Sequence, residues 1–217
     1  MQQVERRPRA RIETLADLVF GVSLGIGSIV LIGNAPLSSE EANGHVVAFM
    51  FTFLILITAW IIYTTDMSVL PVETRVMTFL NVILLLLVAL VPYLLNGVEI
   101  ANPSLSASGS SAVRDYLSTL FALDLTGILL ILATFAHVIS VEEKKLVSPQ
   151  LVALFRNGRN RMLVLAVIMA VTVLPIFWQV QIFGVPARLY AWYLPLISYW
   201  VGRAVRPDSR TYAVAER

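Results

Sequence analysis

The segment HVVAFMFTFLILITAWIIYTT, His45–Thr65, contains no Asp, Glu, Lys or Arg. About 18–20 consecutive apolar residues are enough to cross the hydrocarbon core of a bilayer, and this run is long enough. The next run outward, RVMTFLNVILLLLVALVPYLL (Arg75–Leu95), has the same character after its first residue. The whole chain follows suit: 58% of its residues are hydrophobic and 14% charged, against about 25% charged in a soluble domain. The sequence therefore predicts an all-α, polytopic membrane protein. Its single domain, 1–217, holds six spans at about 13–32, 45–65, 75–96, 113–139, 160–179 and 186–203. The first run lacks a small-residue cleavage pattern and reads as a retained span, not a signal peptide. Pro92, Pro175 and Pro195 fall within or near span ends, where kinks are tolerated. Tyr190, Trp192, Tyr193, Tyr199 and Trp200 suit interfacial aromatic belts.

The basic residues set the orientation. With both termini on one side, only Arg114 and Arg188 fall on the other, and the remaining fourteen of the 16 basic residues share the side of the termini. That bias is the positive-inside pattern, so both termini are expected in the cytoplasm and the chain in the plasma membrane. The Ser-rich stretch NPSLSASGSS, Asn102–Ser111, then becomes an external loop between two halves of three spans. A net charge of +2 without a basic face argues against nucleic acid as a partner. The absence of cysteine removes disulfides, thiolate chemistry and Cys-bound metals. His45 and His137 are too far apart in sequence to suggest a metal site. No G-x-S-x-G, H-E-x-x-H or P-loop is present. No catalytic residue, metal or cofactor is expected, and an enzyme is not.

Where the first span begins, RIETLADLVFGVSL (Arg11–Leu24) runs from charged to apolar without a break. Asp17 stands inside the apolar part. Ionisable groups in spans are costly and normally face a bundle interior or a watery cavity. Arg11, six residues back, points to a different helix face, so Asp17 needs a donor from another span. Trp60 and Tyr63 in the second span and Asn81 in the third are the candidates, each in the same half of its span as Asp17.

These residues also carry a resemblance. RIETLAD followed by LVFGVSL is similar to the first-span signature RxxxFSD of the transmembrane protein 175 potassium channel family. Arg11 and Asp17 match its Arg and Asp, while Leu15 and Ala16 replace its Phe and Ser. The family's second-span W-x-x-H reads WIIY here, with Tyr63 in the histidine position. Its third-span Asn and Pro, eleven residues apart, match Asn81 and Pro92. The resemblance covers spans one to three by motif, and spans four to six by number and type. It implies a homotetramer in which the first span of each subunit lines a central pore for monovalent cations, K⁺ over Na⁺. Hydrophobic side chains would form the constriction, and the Arg/Asp motif would tie the pore helix to its neighbours from behind.

On that reading the pore face passes through Val22, Gly25, Ile26 and Ile29, which follow the i, i+3/i+4, i+7 spacing of one helix face. Gly25 stands where the family has a hydroxyl, so the expected channel is either potassium-selective or only weakly selective among cations. GVSLG (Gly21–Gly25), with Ser28, also reads as a small-residue packing face. Asp124, deep in the fourth span, is a second intramembrane polar site. It supports one alternative, a small proton- or cation-coupled secondary transporter; a non-conducting membrane scaffold is the other. The expected partners are further copies of the chain, the bilayer and monovalent cations, with K⁺ as the permeating ion.

Overall fold

The computed structural model describes residues 7–33, 38–70, 74–98, 110–141 and 149–204, with side chains in the first segment from Thr14 to Ile29. Most of the Ser-rich stretch, the Lys144/Lys145 pair and the side chain of Arg11 lie outside the described residues. Five long helices dominate: α1 (Arg7–Gly33), α2 (Ser39–Val69), α3 (Arg75–Val98), α4 (Ser110–Ser140) and α5 (Pro149–Thr172). Helices are the expected solution, because a segment in hydrocarbon must satisfy every backbone N–H and C=O within itself. Among the described residues three stretches are long and apolar enough to cross a membrane: Ala42–Val69, Arg75–Val98 and Ala112–Ser140. The described apolar part of α1, Thr14–Ile29, is shorter.

Consecutive helices pack antiparallel around α4, which lies against α5, α3 and α2, while α1 leans on α2 and α3. Two glycines fix the α3–α4 approach. A Cβ on Gly97 would stand 2.6 Å from the Leu117 side chain, and one on Gly127 2.8 Å from that of Leu87. Phe121, Leu132, Phe135 and Ile139 of α4 and Leu84, Val88 and Val91 of α3 form the middle of the core. Pro92 lies inside α3. Having no N–H, it cannot hydrogen-bond the Val88 carbonyl one turn back, yet the helix runs on to Val98. Hydroxyls in the helices donate to their own preceding turn, as Thr52 does to Ala48, Thr126 to Ala122 and Thr134 to Leu130.

The last third departs from the sequence expectation. The fifth helix covers Pro149–Thr172, not 160–179. Arg156, Arg159 and Arg161 lie around its middle. The N–H groups of Val173 and Leu174 bond to Ala170 and Val171, a three-residue tightening, and Pro175 then stops the ladder. A single turn, α6 (Ile176–Gln179), leads into a two-stranded hairpin, β1 (Gln181–Ile182) and β2 (Val185–Pro186). Its two-residue tip, Phe183–Gly184, has positive φ at both positions, 51° and 78°, as a type I′ turn requires. Phe183 has a Cβ, so the left-handed conformation costs about 1–2 kcal/mol there.

The predicted sixth span, 186–203, is divided into α7 (Ala187–Ala191) and α8 (Tyr193–Ala204), which meet at Trp192. Trp192 was expected in an aromatic belt. It is instead fully buried, its ring edge-on to Phe121 at 4.5 Å. It therefore belongs to the α4 core, and only its neighbours Tyr190, Tyr193 and Trp200 are exposed.

Candidate functional site

The α1 helix has two unlike sides. Ala16, Phe20 and Ser23 are buried, and Gly27 lies against Phe49 and Thr52 of α2. Leu15, Leu18, Val22, Ile26 and Ile29 are exposed on the opposite side. Gly21 and Gly25 lie on the exposed side as well, and a Cβ at either would meet nothing within 4 Å. Gly21 and Gly25 therefore form no packing face within the chain. That role falls to the side bearing Ala16, Phe20, Ser23 and Gly27. The hydroxyls turn away from the open face: Ser23 donates to the Val19 carbonyl at 2.8 Å, and Ser28 to that of Leu24 at 3.2 Å.

Asp17 is held from the flank. Trp60 Nε1 donates to Asp17 Oδ1 at 2.9 Å, joining α2 to α1. Five residues separate Asp17 from Val22, which at about 100° per residue places them roughly 140° apart around the helix. The other two candidate donors lie deeper. Tyr63 is buried, with its ring 6.1 Å from that of Phe20. Asn81 approaches the Met67 sulfur with Nδ2 at 3.9 Å, while its Oδ1 has no hydrogen-bond partner.

Asp66 was missed by the sequence reading. It is 2% exposed, and its Oδ2 has no partner. It lies on α2 one turn beyond Tyr63 and next to Met67, the residue that Asn81 approaches. The apolar run ends at Thr65, so Asp66 reads as the first interfacial residue. The helix continues to Val69 and carries it into the interior. Asp124 is also buried, and neither of its oxygens has a hydrogen-bond partner among the described residues. His137 takes no part in that site, since its Nδ1 faces Arg159 at 2.9 Å. Among the described residues no three His, Cys, Asp or Glu side chains group as metal ligands would.

Arg188 was read only for its side of the membrane, yet its partners make it a principal anchor. It is wholly buried. Nη1 donates to Asp115 Oδ1, Ser118 Oγ and Thr119 Oγ1, each at 2.7 Å. Nε bonds to the Thr172 carbonyl at 2.7 Å, and Nη2 to those of Val173 and Leu174 at 3.1 and 3.3 Å. The Thr172 and Val173 carbonyls lie where α5 ends, the place where a cation complements a helix dipole, while that of Leu174 also accepts from the Phe177 N–H at 3.1 Å. One guanidinium thus joins the start of α4, the end of α5 and α7. Trp178 lies under it, 5.7 Å from ring centre to Cζ. The sequence clue was its isolation: Arg114 and Arg188 stand apart from every other basic residue in the predicted topology.

Comparison with known proteins places this geometry. No family model matches the chain, and no curated protein does. Among solved structures, the crystal structure of a lysosomal potassium-selective channel TMEM175 homologue from Chamaesiphon minutus is similar, with a TM-score of 0.60. The chain has the fold of that TMEM175 homologue. The match covers 91% of this chain and 98% of the other at 14% identity, so the likeness is one of fold along nearly the whole length of both proteins.

Proposed function

We propose that the chain is the subunit of a monovalent-cation channel, with α1 helices from four copies arranged around a central axis. The observation that carries this reading is the open side of α1. Val22, Ile26 and Ile29 are exposed, with Gly21 and Gly25 bare between them. Contact with lipid gains nothing from glycine, which weakens a helix by about 0.5–1 kcal/mol relative to Ala. Close approach of another backbone does gain from it. The fold shared with a potassium-selective channel homologue supports the same conclusion. In this assembly the subunit crosses the bilayer six times, with both termini in the cytoplasm of a plasma-membrane protein. Ala187–Ala204 would make the last crossing as α7 and α8 together, about 27 Å at 1.5 Å per residue against a core of about 30 Å.

The ion path would be narrow and dry. Rings of Val22 and Ile29 form a neck that conducts only when wetted. With no hydroxyl or charge on that face, preference for K⁺ over Na⁺ is weak. Asp17 and Trp60 hold the helix from its flank, outside the path. The test is cation flux in liposomes with K⁺ and Na⁺ gradients, for the parent chain, Val22→Asn and Ile29→Asn. Both substitutions should raise flux and flatten ion preference. Unchanged flux in both, with the assembly intact, would place the constriction elsewhere.

The two unpartnered oxygens of Asp124 favour a second reading, because a coupled carrier needs an ionisable group near the bilayer midplane. Asp124→Asn separates the two. A channel keeps its flux, whereas a carrier using that carboxylate loses it.

A further inference from the structure

The connection from α5 to α7 has no charged residue between Pro175 and Ala187, although it leaves the bundle. Beside the uncharged Gln179 and Gln181, its exposed side chains are apolar: Ile176, Val180, Ile182, Val185 and, at the tip, Phe183, which is 97% exposed. A type I′ tip normally carries Asn or Gly at the position Phe183 holds. The chain accepts a left-handed φ of 51° to hold an aromatic ring out at the end of the hairpin. The apolar surface also continues from the helix before it. Val164, Val167 and Val171 form an exposed stripe along α5, and Leu174 extends it past the end of that helix toward α6 and the hairpin.

We infer that the hairpin Gln181–Pro186 is a membrane-interface anchor, its Phe183 ring seated among the lipid headgroups and upper acyl carbons. The leaflet is the one at the start of α4, because Arg188 ties α7 to Asp115 at that end of the bundle. The depth follows from the backbone. The outward-facing N–H and C=O groups of two-residue strands have no further strand to pair with, and hydrocarbon would leave them unsatisfied. The headgroup region satisfies them and still accepts an aromatic ring. Tyr190, whose hydroxyl donates to the Ile182 carbonyl at 3.0 Å, holds the hairpin against the start of α7. A soluble partner would require this surface to face water until it was met, and five exposed apolar side chains without one charge do not suit that state.

The inference rests on the bundle crossing a bilayer and is independent of any pore. The chain has no cysteine, so single labels can be placed on the otherwise intact protein in liposomes. Spin labels at Phe183→Cys and Val185→Cys are compared with Val167→Cys on the α5 stripe and Gln150→Cys at its far end. Relaxation by oxygen, which partitions into lipid, is read against relaxation by a water-soluble nickel chelate. The expected result is oxygen-dominated relaxation at 183, 185 and 167, with the chelate dominating at 150. A chelate-dominated label at 183 and 185 beside an oxygen-dominated label at 167 would make the hairpin an aqueous loop and overturn the proposal. Labels at 183 and 185 closed to both relaxants, or broadened by one another between copies, would overturn it in favour of a protein contact. A chelate-dominated label at 167 would remove the membrane seat of α5 itself, and the anchor with it.

Discussion

Asp17 and Arg188 satisfy their charges in different ways. Asp17 is exposed along one side and receives one indole N–H, while Arg188 is enclosed and donates to side chains and carbonyls from two helices. The consequences of removing them differ accordingly. Trp60→Phe deletes the donor and leaves Asp17 partly open to its surroundings. A loss near the low end of the 1–3 kcal/mol for a stranded polar group is expected, visible as a modest fall in thermal stability with flux retained. Arg188→Met strands a carboxylate and the end of α5 together. Breaking a buried ion pair costs about 3–5 kcal/mol, and partial exposure of Asp115 places this one near 3. Asp115→Asn should cost much less, because Ser118, Thr119 and three carbonyls still accept from the guanidinium. Equal melting temperatures for Arg188→Met and the parent would mean that the cluster does not hold that end of the bundle together. Asp17→Ala with normal assembly but an altered K⁺/Na⁺ ratio would put Asp17 in the ion path.

At the scale of elements, glycines give the sharpest contrast. Gly127→Ala would push against Leu87, a flexible side chain inside the α3–α4 contact, and should destabilise the subunit. Gly21→Ala and Gly25→Ala meet nothing within the chain, so each should leave the single subunit unchanged or stabilise it by up to about 1 kcal/mol through helix propensity. If α1 helices pack on one another, the same two substitutions should weaken the oligomer, which the particle mass in detergent will reveal. An undisturbed oligomer would leave the α1 face to lipid.

The apolar runs of α2, α3 and α4 were legible because length and lack of charge suffice for a span. The ends were less so. Asp66 was lost because hydropathy ends at Thr65 while the backbone helix does not. The helix ends after α4 were not legible, because Pro175 and the Phe183–Gly184 turn act through backbone geometry, not through hydropathy. Arg188 was legible as isolated but not as buried, since its partners lie some seventy residues away in α4 and at the end of α5.

At the scale of the molecule, the subunit closes around α4 and leaves one side of α1 bare. Its fold matches that of a potassium-selective channel homologue over 91% of its length. In the proposed channel the bare side faces an ion path shared between copies. Because the chain is free of cysteine, Val22→Cys places one thiol per subunit on that side. The decisive measurement is K⁺ flux from liposomes carrying Val22→Cys, before and after a charged, membrane-impermeant thiol reagent, with modification checked by mass. A water-filled path lined by α1 requires that the thiol react and that flux fall while the untreated assembly stays intact. A thiol that stays unmodified while flux proceeds, or one fully modified with flux unchanged, would contradict it.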